Sequence, residues 1–189
     1  KIYGKTFKQR KGFGKEPRFP PMKGHKFYIG TTRFNNKTWN ENIKWRKKHQ
    51  HNGCIYLTKQ RISNSIPKNV IIFVIEMNND TNKIMGIGMI KNKRDMKQNI
   101  KIYYNNDIYY NKFVYHSNMR LDRINIPYNK MIEVFEEILF KGSRHFKRQT
   151  GITILSWKRF PRKKTRLRVE KFFELIKYNI NNKKTKNRN

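Results

Sequence analysis

The sequence predicts an α+β fold in which a curved, mostly antiparallel sheet or a small β-barrel is combined with about three helices and basic tails. The run Val70–Met77 (VIIFVIEM) is continuous and rich in β-branched residues, which is typical of a strand buried on both faces. Polar turn residues follow at 78–82, and Lys83–Ile90 (KIMGIGMI) then completes a predicted hairpin. Because strands recur as hairpins rather than alternating with helices, the α+β class is favoured.

The elements before this hairpin are shorter. Residues 26–31 (KFYIGT) and 54–58 (CIYLT) are predicted strands. Between them Asn36 is expected to cap a helix that runs to about His49, with Trp39 and Ile43 on its inner face. Trp45 lies six residues after Trp39 and is expected to face elsewhere.

The elements after the hairpin are predicted from tyrosine content and helical spacing. Residues 99–104 and 109–115 are expected to form a second hairpin. A helix is predicted over 125–140 and ends at Gly142, and its apolar stripe consists of Met131, Phe135, Ile138 and Leu139. The remaining predictions are a closing strand over 152–157, a final helix over 165–179 and a frayed tail over 181–189.

Three segments follow from this pattern. They are an extended basic arm at 1–26, an α+β core at 27–160, and a basic C-terminal helix and tail at 161–189.

The charge balance points to a polyanionic partner. The chain has 45 Lys and Arg against 12 Asp and Glu, a formal charge of +33. Such a chain repels itself unless a polyanion neutralises it, and nucleic acid, RNA or DNA, is the obvious polyanion. An AT-rich coding sequence would enrich lysine, but it would not remove carboxylates. A basic membrane-surface or assembly protein is the alternative.

Cysteine content and hydropathy bear on the compartment. Cys54 is the single cysteine, so no internal disulfide can form, and a reducing compartment is expected. No apolar run approaches the ~20 residues of a membrane-spanning helix. We therefore expect a soluble intracellular protein without a membrane partner; the oligomeric state is left open.

A glycine-bounded loop at 141–151 (KGSRHFKRQTG) is the main candidate for phosphate contacts. It offers backbone N–H groups together with cationic side chains, although a solvated surface loop is the alternative. The predicted nucleic-acid-binding residues are Arg120, Arg123, Lys141, Arg144, His145, Lys147, Arg148, Arg159, Arg162, Lys163 and Lys164.

Three tryptophans are candidates for stacking on a base. Unstacked bases are commonly held against aromatic side chains, and Trp39, Trp45 and Trp157 could serve in this way. Trp39 is expected to belong to the core, whereas Trp45 and Trp157 are equally compatible with core packing and with contact to a ligand.

The sequence predicts neither an enzyme nor a metal or cofactor site. His49, His51 and Cys54 (H-x-H-x-x-C) supply only part of a zinc ligand set. No nucleophile stands beside a plausible base. Glu76 ends a buried strand, where we expect an Arg or Lys to pair with it. Gly86 and Gly88 share one face of their strand, which indicates either a tight barrel bend or the close approach of another chain or a ligand.

The centre of the chain resembles the PUA-like superfamily, which includes EVE, ASCH and YTH domains. The resemblance rests on residues 70–90 (VIIFVIEMNNDTNKIMGIGMI), on the Trp-bearing helix before them, and on the Tyr-rich segment and residues 120–123 (RLDR) after them. It implies a compact barrel that binds RNA or a modified base. The segments NKIMGIGMI, RLDR and KGSRHFKR also resemble segments of proteins that are encoded by large DNA viruses with AT-rich genomes. That resemblance implies the cytoplasm or nucleus of an infected cell, or the virion interior.

Three functions therefore compete. A module that reads RNA or a modified base should have a concave aromatic pocket beside the basic loop. A sequence-neutral viral nucleoprotein or packaging protein should have charge without a pocket. A basic capsid-associated scaffold protein should bury long arms against its neighbours.

Overall fold

The computed structural model describes residues 27–93, 100–127 and 129–186. The predicted arm at 1–26 lies outside these residues. The strands are β1 (Phe27–Phe34), β2 (Cys54–Thr58), β3 (Ile71–Asn78), β4 (Lys83–Lys91), β5 (Phe113–Ser117), β6 (Arg120–Asp122) and β7 (Thr153–Ile154). The α-helices are α1 (Asn36–Lys48), α2 (Asn129–Phe140) and α3 (Lys163–Lys186), and 3₁₀ segments span Asn105–Lys112, Arg123–Asn125 and Trp157–Arg159.

The strands form a mixed sheet and a separate pair. The five-stranded sheet has the order β6-β4-β3-β1-β7, while β2 pairs with β5. β1 and β3 are parallel, and the other pairings are antiparallel. The α+β class is therefore confirmed, but the described strands do not close into a barrel.

The five-stranded sheet is covered on both faces, which explains why β3 is a continuous apolar run. Phe27 and Phe73 point to one face, where they meet Phe173 of α3 at ring-centroid distances of 5.9 and 5.0 Å. Tyr28 and Ile72 point to the other face and pack in the core formed with α1, β2 and β5. α1 and the β2–β5 pair thus form one layer, and α2 and α3 form the opposite one.

The start of α1 is fixed by a capping box. Asn35 is the N-cap, and its Oδ1 accepts a hydrogen bond from the Thr38 backbone N–H at 2.8 Å. The Thr38 hydroxyl in turn accepts from the Asn35 N–H at 3.0 Å. The helix predicted here is confirmed, with the cap one residue earlier than Asn36.

The predicted second hairpin is wrong. Residues 101–104 form no strand, and Asn105–Lys112 turn as a 3₁₀ segment. The side chain of Asn111 holds this turn, because its Oδ1 accepts from the backbone N–H groups of Ile102 and Tyr103 while its amide donates to the Tyr103 carbonyl. β5 pairs with β2 instead. Residue 99 lies outside the described residues.

The two later helices differ from prediction at their ends. α2 begins at Asn129 rather than 125, since Pro127 disfavours helical backbone at Ile126. Its apolar stripe is confirmed, and Gly142 follows its end with φ +74°. α3 continues past 179 to Lys186 and buries Ile180, so the frayed tail is wrong for residues 181–186. The closing strand shortens to Thr153–Ile154.

The C-terminal helix is part of the main core. Val169, Phe172, Phe173 and Ile176 of α3 are buried with the strands and with Phe135 of α2. No described helix combines the length and the apolar character that crossing a membrane requires.

Candidate functional site

A cavity of about 250 Å³ lies beyond the carboxyl ends of the parallel strands β1 and β3. Phe34 ends β1, Asn79 follows β3, and the N-cap Asn35 begins α1, and all three line the cavity. Ligands commonly bind outside the carboxyl ends of such strands. The volume is slightly below the ~300–1,000 Å³ of pockets for drug-sized ligands, which suits one planar ring system.

One side of the cavity is aromatic. Tyr103 and Tyr110 line it with their rings nearly perpendicular and 6.4 Å apart between centroids. Phe34 lines it as well and packs edge-on against Trp39 at 5.1 Å. Burial raises the pKa of Tyr103, so its hydroxyl stays protonated at neutral pH.

The polar side of the cavity is built around one backbone carbonyl. Arg33 Nη1 donates to the Lys147 carbonyl at 2.7 Å, and Asn79 Nδ2 donates to the same carbonyl at 2.9 Å. Asn79 Oδ1 is enclosed and has no hydrogen-bond partner among the described residues. A guanidinium and an amide are thus held side by side at this wall.

The two acids at the cavity are already engaged. Asp80 Oδ2 accepts from the Asn36 backbone N–H at 2.8 Å. Asp107 Oδ2 lies 2.8 Å from Lys37 Nζ, which also donates to the Tyr104 carbonyl at 3.3 Å. This ion pair raises the pKa of Lys37. The acids therefore fix the cavity wall.

The predicted glycine-bounded loop forms the rim of the cavity. Gly151 lines the cavity with φ +66°, a left-handed conformation that favours glycine. Phe146 is buried and anchors the loop, and its backbone N–H donates to the Leu139 carbonyl at 2.7 Å. Arg144 and Arg148 are exposed, while Lys147 is half-buried and His145 accepts from its backbone N–H.

Arg120 lies in the interior, away from the cationic surface that was predicted to include it. Its guanidinium donates to both Glu76 oxygens, from Nε at 3.0 and 3.1 Å and from Nη2 at 2.7 Å, and it also pairs with Asp122. Both side chains of the Glu76–Arg120 pair are almost fully enclosed, at 3% and 2% exposed. Burial alone would lower the Arg120 pKa, but the charge and hydrogen bonds of Glu76 and Asp122 raise it above its ordinary value. The expected partner of Glu76 is confirmed.

Gly86 and Gly88 make room for this buried network. A Cβ on Gly88 would lie 2.0 Å from Tyr56 Oη, and one on Gly86 would lie 2.7 Å from Glu76 Oε2. Tyr56 Oη donates to Glu76 Oε1 at 2.9 Å. The glycines thus admit side chains of the protein itself, so the alternatives of a barrel bend and of a foreign ligand or chain are both wrong.

The three tryptophans have different environments. Trp39 is buried, and the guanidinium carbons of Arg46 and Arg120 lie 5.6 and 5.7 Å from its ring centroid, so it belongs to the core. Trp157 is half-buried in the opposite layer, 5.9 Å from Phe160. Trp45 lines a second, open groove beside α1.

The other predicted binding residues lie apart from the cavity. Arg123 is 3.8 Å from Glu136, and Lys141 is 2.8 Å from Glu137. Arg159 lies over the Phe146 ring at 4.8 Å, which places the 3₁₀ segment before α3 next to the glycine-bounded loop. Arg162, Lys163 and Lys164 are exposed at the start of α3.

The groups that define the cavity come from separate parts of the chain. Arg33, Asn79 and Tyr110 were not predicted as site residues. The sequence did carry one signal, because polar residues directly follow two strands at Asn35 and Asn79, but only the parallel pairing brings those ends together. Within the described ranges, no group of three or more His, Cys, Asp or Glu is arranged to hold a metal ion.

Fold and site together define an α+β domain with a central sheet between two layers, and a small cavity with aromatic and polar lining beside a cationic loop. Comparison with known protein families, with curated proteins and with solved structures finds no match to this chain. The PUA-like and viral resemblances therefore stay predictions from the sequence.

Proposed function

We propose that this protein binds nucleic acid, with one unstacked base in the aromatic cavity and the phosphates beside it on the glycine-bounded loop. The observation that carries the proposal is the position of the cavity, because Gly151 of the cationic loop lines it and its lining residues Arg33 and Asn79 donate to the Lys147 carbonyl of that loop. A base needs an aromatic surface and edge-reading groups, and its backbone needs cations. In this chain, which has a charge of +33, the aromatic cavity and the cationic loop lie side by side.

The cavity suits a base with both donor and acceptor groups on its edge. An exocyclic amino group or ring N–H would pair with Asn79 Oδ1 once this enclosed atom turns towards the ligand, and the Arg33 guanidinium complements a ring nitrogen or carbonyl. Tyr103 and Tyr110 supply aromatic surface. RNA and a modified base stay within this proposal as the ligands that the PUA-like resemblance implies.

Neutralising Arg144, Lys147 and Arg148 together to Gln tests the phosphate contacts. Binding of a single-stranded oligonucleotide should weaken for all sequences, and the slope of log affinity against log salt should flatten by about two, since each contact contributes ~0.7 for single strands. Affinity titrations between about 50 and 200 mM salt measure both quantities. The free energy of unfolding should hardly change, because Arg144 and Arg148 are exposed and Lys147 joins the cavity wall through its backbone.

Changing Tyr110 to Ala is the complementary test of the cavity. It should reduce the preference for single strands over duplex while leaving the salt slope unchanged, because it removes aromatic surface and no charge. If the loop variant keeps the affinity and salt slope of the unaltered protein, the loop is ordinary solvated surface. If the Tyr110 variant keeps its strand preference, the cavity takes no base.

A sequence-neutral nucleoprotein or packaging protein is the second candidate. It is favoured by the exposed cations Arg162, Lys163 and Lys164, which begin a helix of the layer opposite α1, away from the cavity. Neutralising these three should then weaken binding more than the loop variant does. The scaffold alternative depends on the arm at 1–26, outside the described residues.

A further inference from the structure

A second, larger concavity lies along the same helix as the cavity. This open groove of about 890 Å³ runs between the C-terminal half of α1 and residues 100–104. Trp45 and His49 line it from the helix, and Tyr104, which is 60% exposed, lines it from the other side. The base cavity does not use these aromatic groups.

The Trp45 ring is held in a fixed orientation. The His49 imidazole stacks on it at 4.2 Å with 20° between the planes, and His49 Nδ1 is 2.8 Å from the Trp45 carbonyl. The His51 ring contacts it edge-on at 6.0 Å. A fixed aromatic ring at a groove stacks a base with little loss of side-chain entropy.

Exposed lysines surround this ring. Lys44 and Lys48 are one helical turn apart on α1, where like charges disfavour each other, and Lys101 belongs to the opposite side of the groove. Glu41, the acid among the described lining residues, lies 4.0 Å from Lys37. The groove therefore has a positive potential, which a polyanion would relieve.

The groove continues the surface of the base cavity. Thr38 lines the cavity and Trp45 lines the groove seven residues later, so they are about 10 Å apart along the helix axis at 1.5 Å per residue. Tyr103 contributes to the cavity and its neighbour Tyr104 to the groove. A spacing of ~10 Å is larger than the separation of two adjacent nucleotides, which is ~3.4 Å in a stacked strand and greater in an unstacked one, so bridging the two subsites takes a strand of several nucleotides.

We infer that the groove is a second nucleic-acid subsite, in which a base stacks on the Trp45–His49 ring pair while Lys44, Lys48 and Lys101 hold the adjoining phosphates. The inference rests on the proposed function, since the occupant is the continuation of the single strand whose base enters the cavity. Duplex is excluded from this path, because both subsites need unstacked bases.

The experiment compares single-stranded RNA and DNA of two and of nine nucleotides, in mixed sequence, with a nine-base-pair duplex. The full chain should bind nine nucleotides more tightly than two, since only the longer strand reaches both subsites. Trp45→Ala should weaken binding of the nine-nucleotide strand by about 5- to 150-fold, the range for loss of one stacked base, and Trp45→Phe should recover most of it. The salt slope should not change in either variant.

A charge-matched pair of triple variants separates contact from general attraction. Changing Lys44, Lys48 and Lys101 to Gln should flatten the salt slope by about two. The control changes Lys130, Arg168 and Lys171 to Gln, which are exposed on α2 and α3 in the opposite layer, and should leave the slope unchanged. Equal effects of the two triple variants would overturn the inference.

Two further outcomes keep the inference distinct from the proposed function. Ultraviolet cross-linking of a nine-nucleotide strand carrying 4-thiouridine should label residues 44–49 and 100–104. This measurement uses the unaltered protein, so its result does not depend on whether a variant folds. If Tyr110→Ala weakens binding while two and nine nucleotides bind equally and no groove label appears, the groove inference fails and the cavity stands. If the unaltered chain binds no strand, the proposed function fails.

Discussion

Changing Glu76 to Gln should destabilise the fold more than any surface charge change. Glu76 accepts three hydrogen bonds from Arg120 and one from Tyr56, and both members of the ion pair are almost fully enclosed. Glutamine keeps the shape but offers one oxygen and an NH₂ group, which would face N–H or O–H donors. Removing one partner of a buried pair costs ~3–5 kcal/mol, because the other charge is left uncompensated.

The lower end of that range applies here, because Arg120 keeps its ion pair with Asp122. A loss of about 3 kcal/mol is a large part of the ~5–15 kcal/mol that stabilises a typical domain. It should lower the Tm by about 6–12 °C for a chain of this length. Urea unfolding followed by circular dichroism and by tryptophan fluorescence measures it.

A double-mutant cycle with Arg120→Met tests the cause. Removing both charges leaves neither carboxylate nor guanidinium uncompensated at this contact, so the double variant should be more stable than the sum of the single losses predicts, by about 2 kcal/mol or more. Glu137→Gln, which alters an exposed ion pair with Lys141, is the control and should have no measurable effect. Additive losses, or a loss below about 1 kcal/mol for Glu76→Gln, would refute the reasoning.

Two other predictions concern packing and pH. Gly88→Ala should cost about 1–3 kcal/mol or more in urea unfolding, because the new methyl group would overlap Tyr56 Oη; an unchanged midpoint would mean that the two sheets separate easily. Burial lowers the pKa of the half-buried His51, although its hydrogen bond with the Cys54 carbonyl acts in the opposite direction. The contribution of this group to stability is therefore full above pH ~6.5 and is lost as the pH falls towards the lowered pKa. Between pH 7.5 and 5 the loss should be at most ~1.4 kcal/mol per pH unit, and His51→Gln should reduce it. Equal slopes in the variant and the unaltered protein would contradict this.

Local patterns in the sequence were sufficient for the elements whose neighbours lie close along the chain. The β3–β4 hairpin and the apolar stripe of α2 are confirmed, because each depends on residues within about twenty positions. The tyrosine-rich residues after 100 were misassigned as a hairpin. Their course is set by Asn111, which ties a 3₁₀ turn, and nothing in an alternating pattern signals this.

The site was predictable only in part, for a topological reason. The glycine-bounded loop was identified from its composition, and the structure places it at the cavity. Arg33 and Asn79 come from distant segments and meet because β1 and β3 run parallel, while Tyr110 reaches the cavity from the 3₁₀ segment Asn105–Lys112. The sequence around Arg120 is typical of a surface cation. Arg120 is buried because it pairs with the enclosed carboxylate of Glu76.

The glycines of β4 also restrict how the hairpin can align. Tyr56 and Cys54 of β2 approach the β4 backbone at Gly88, where no side chain intervenes. A slip of β4 by one residue would turn Ile87 or Met89 towards β2 in its place, since neighbouring strand residues point to opposite faces. The second sheet can therefore dock only on the correctly aligned hairpin, and the Glu76–Arg120 pair is enclosed in that alignment alone.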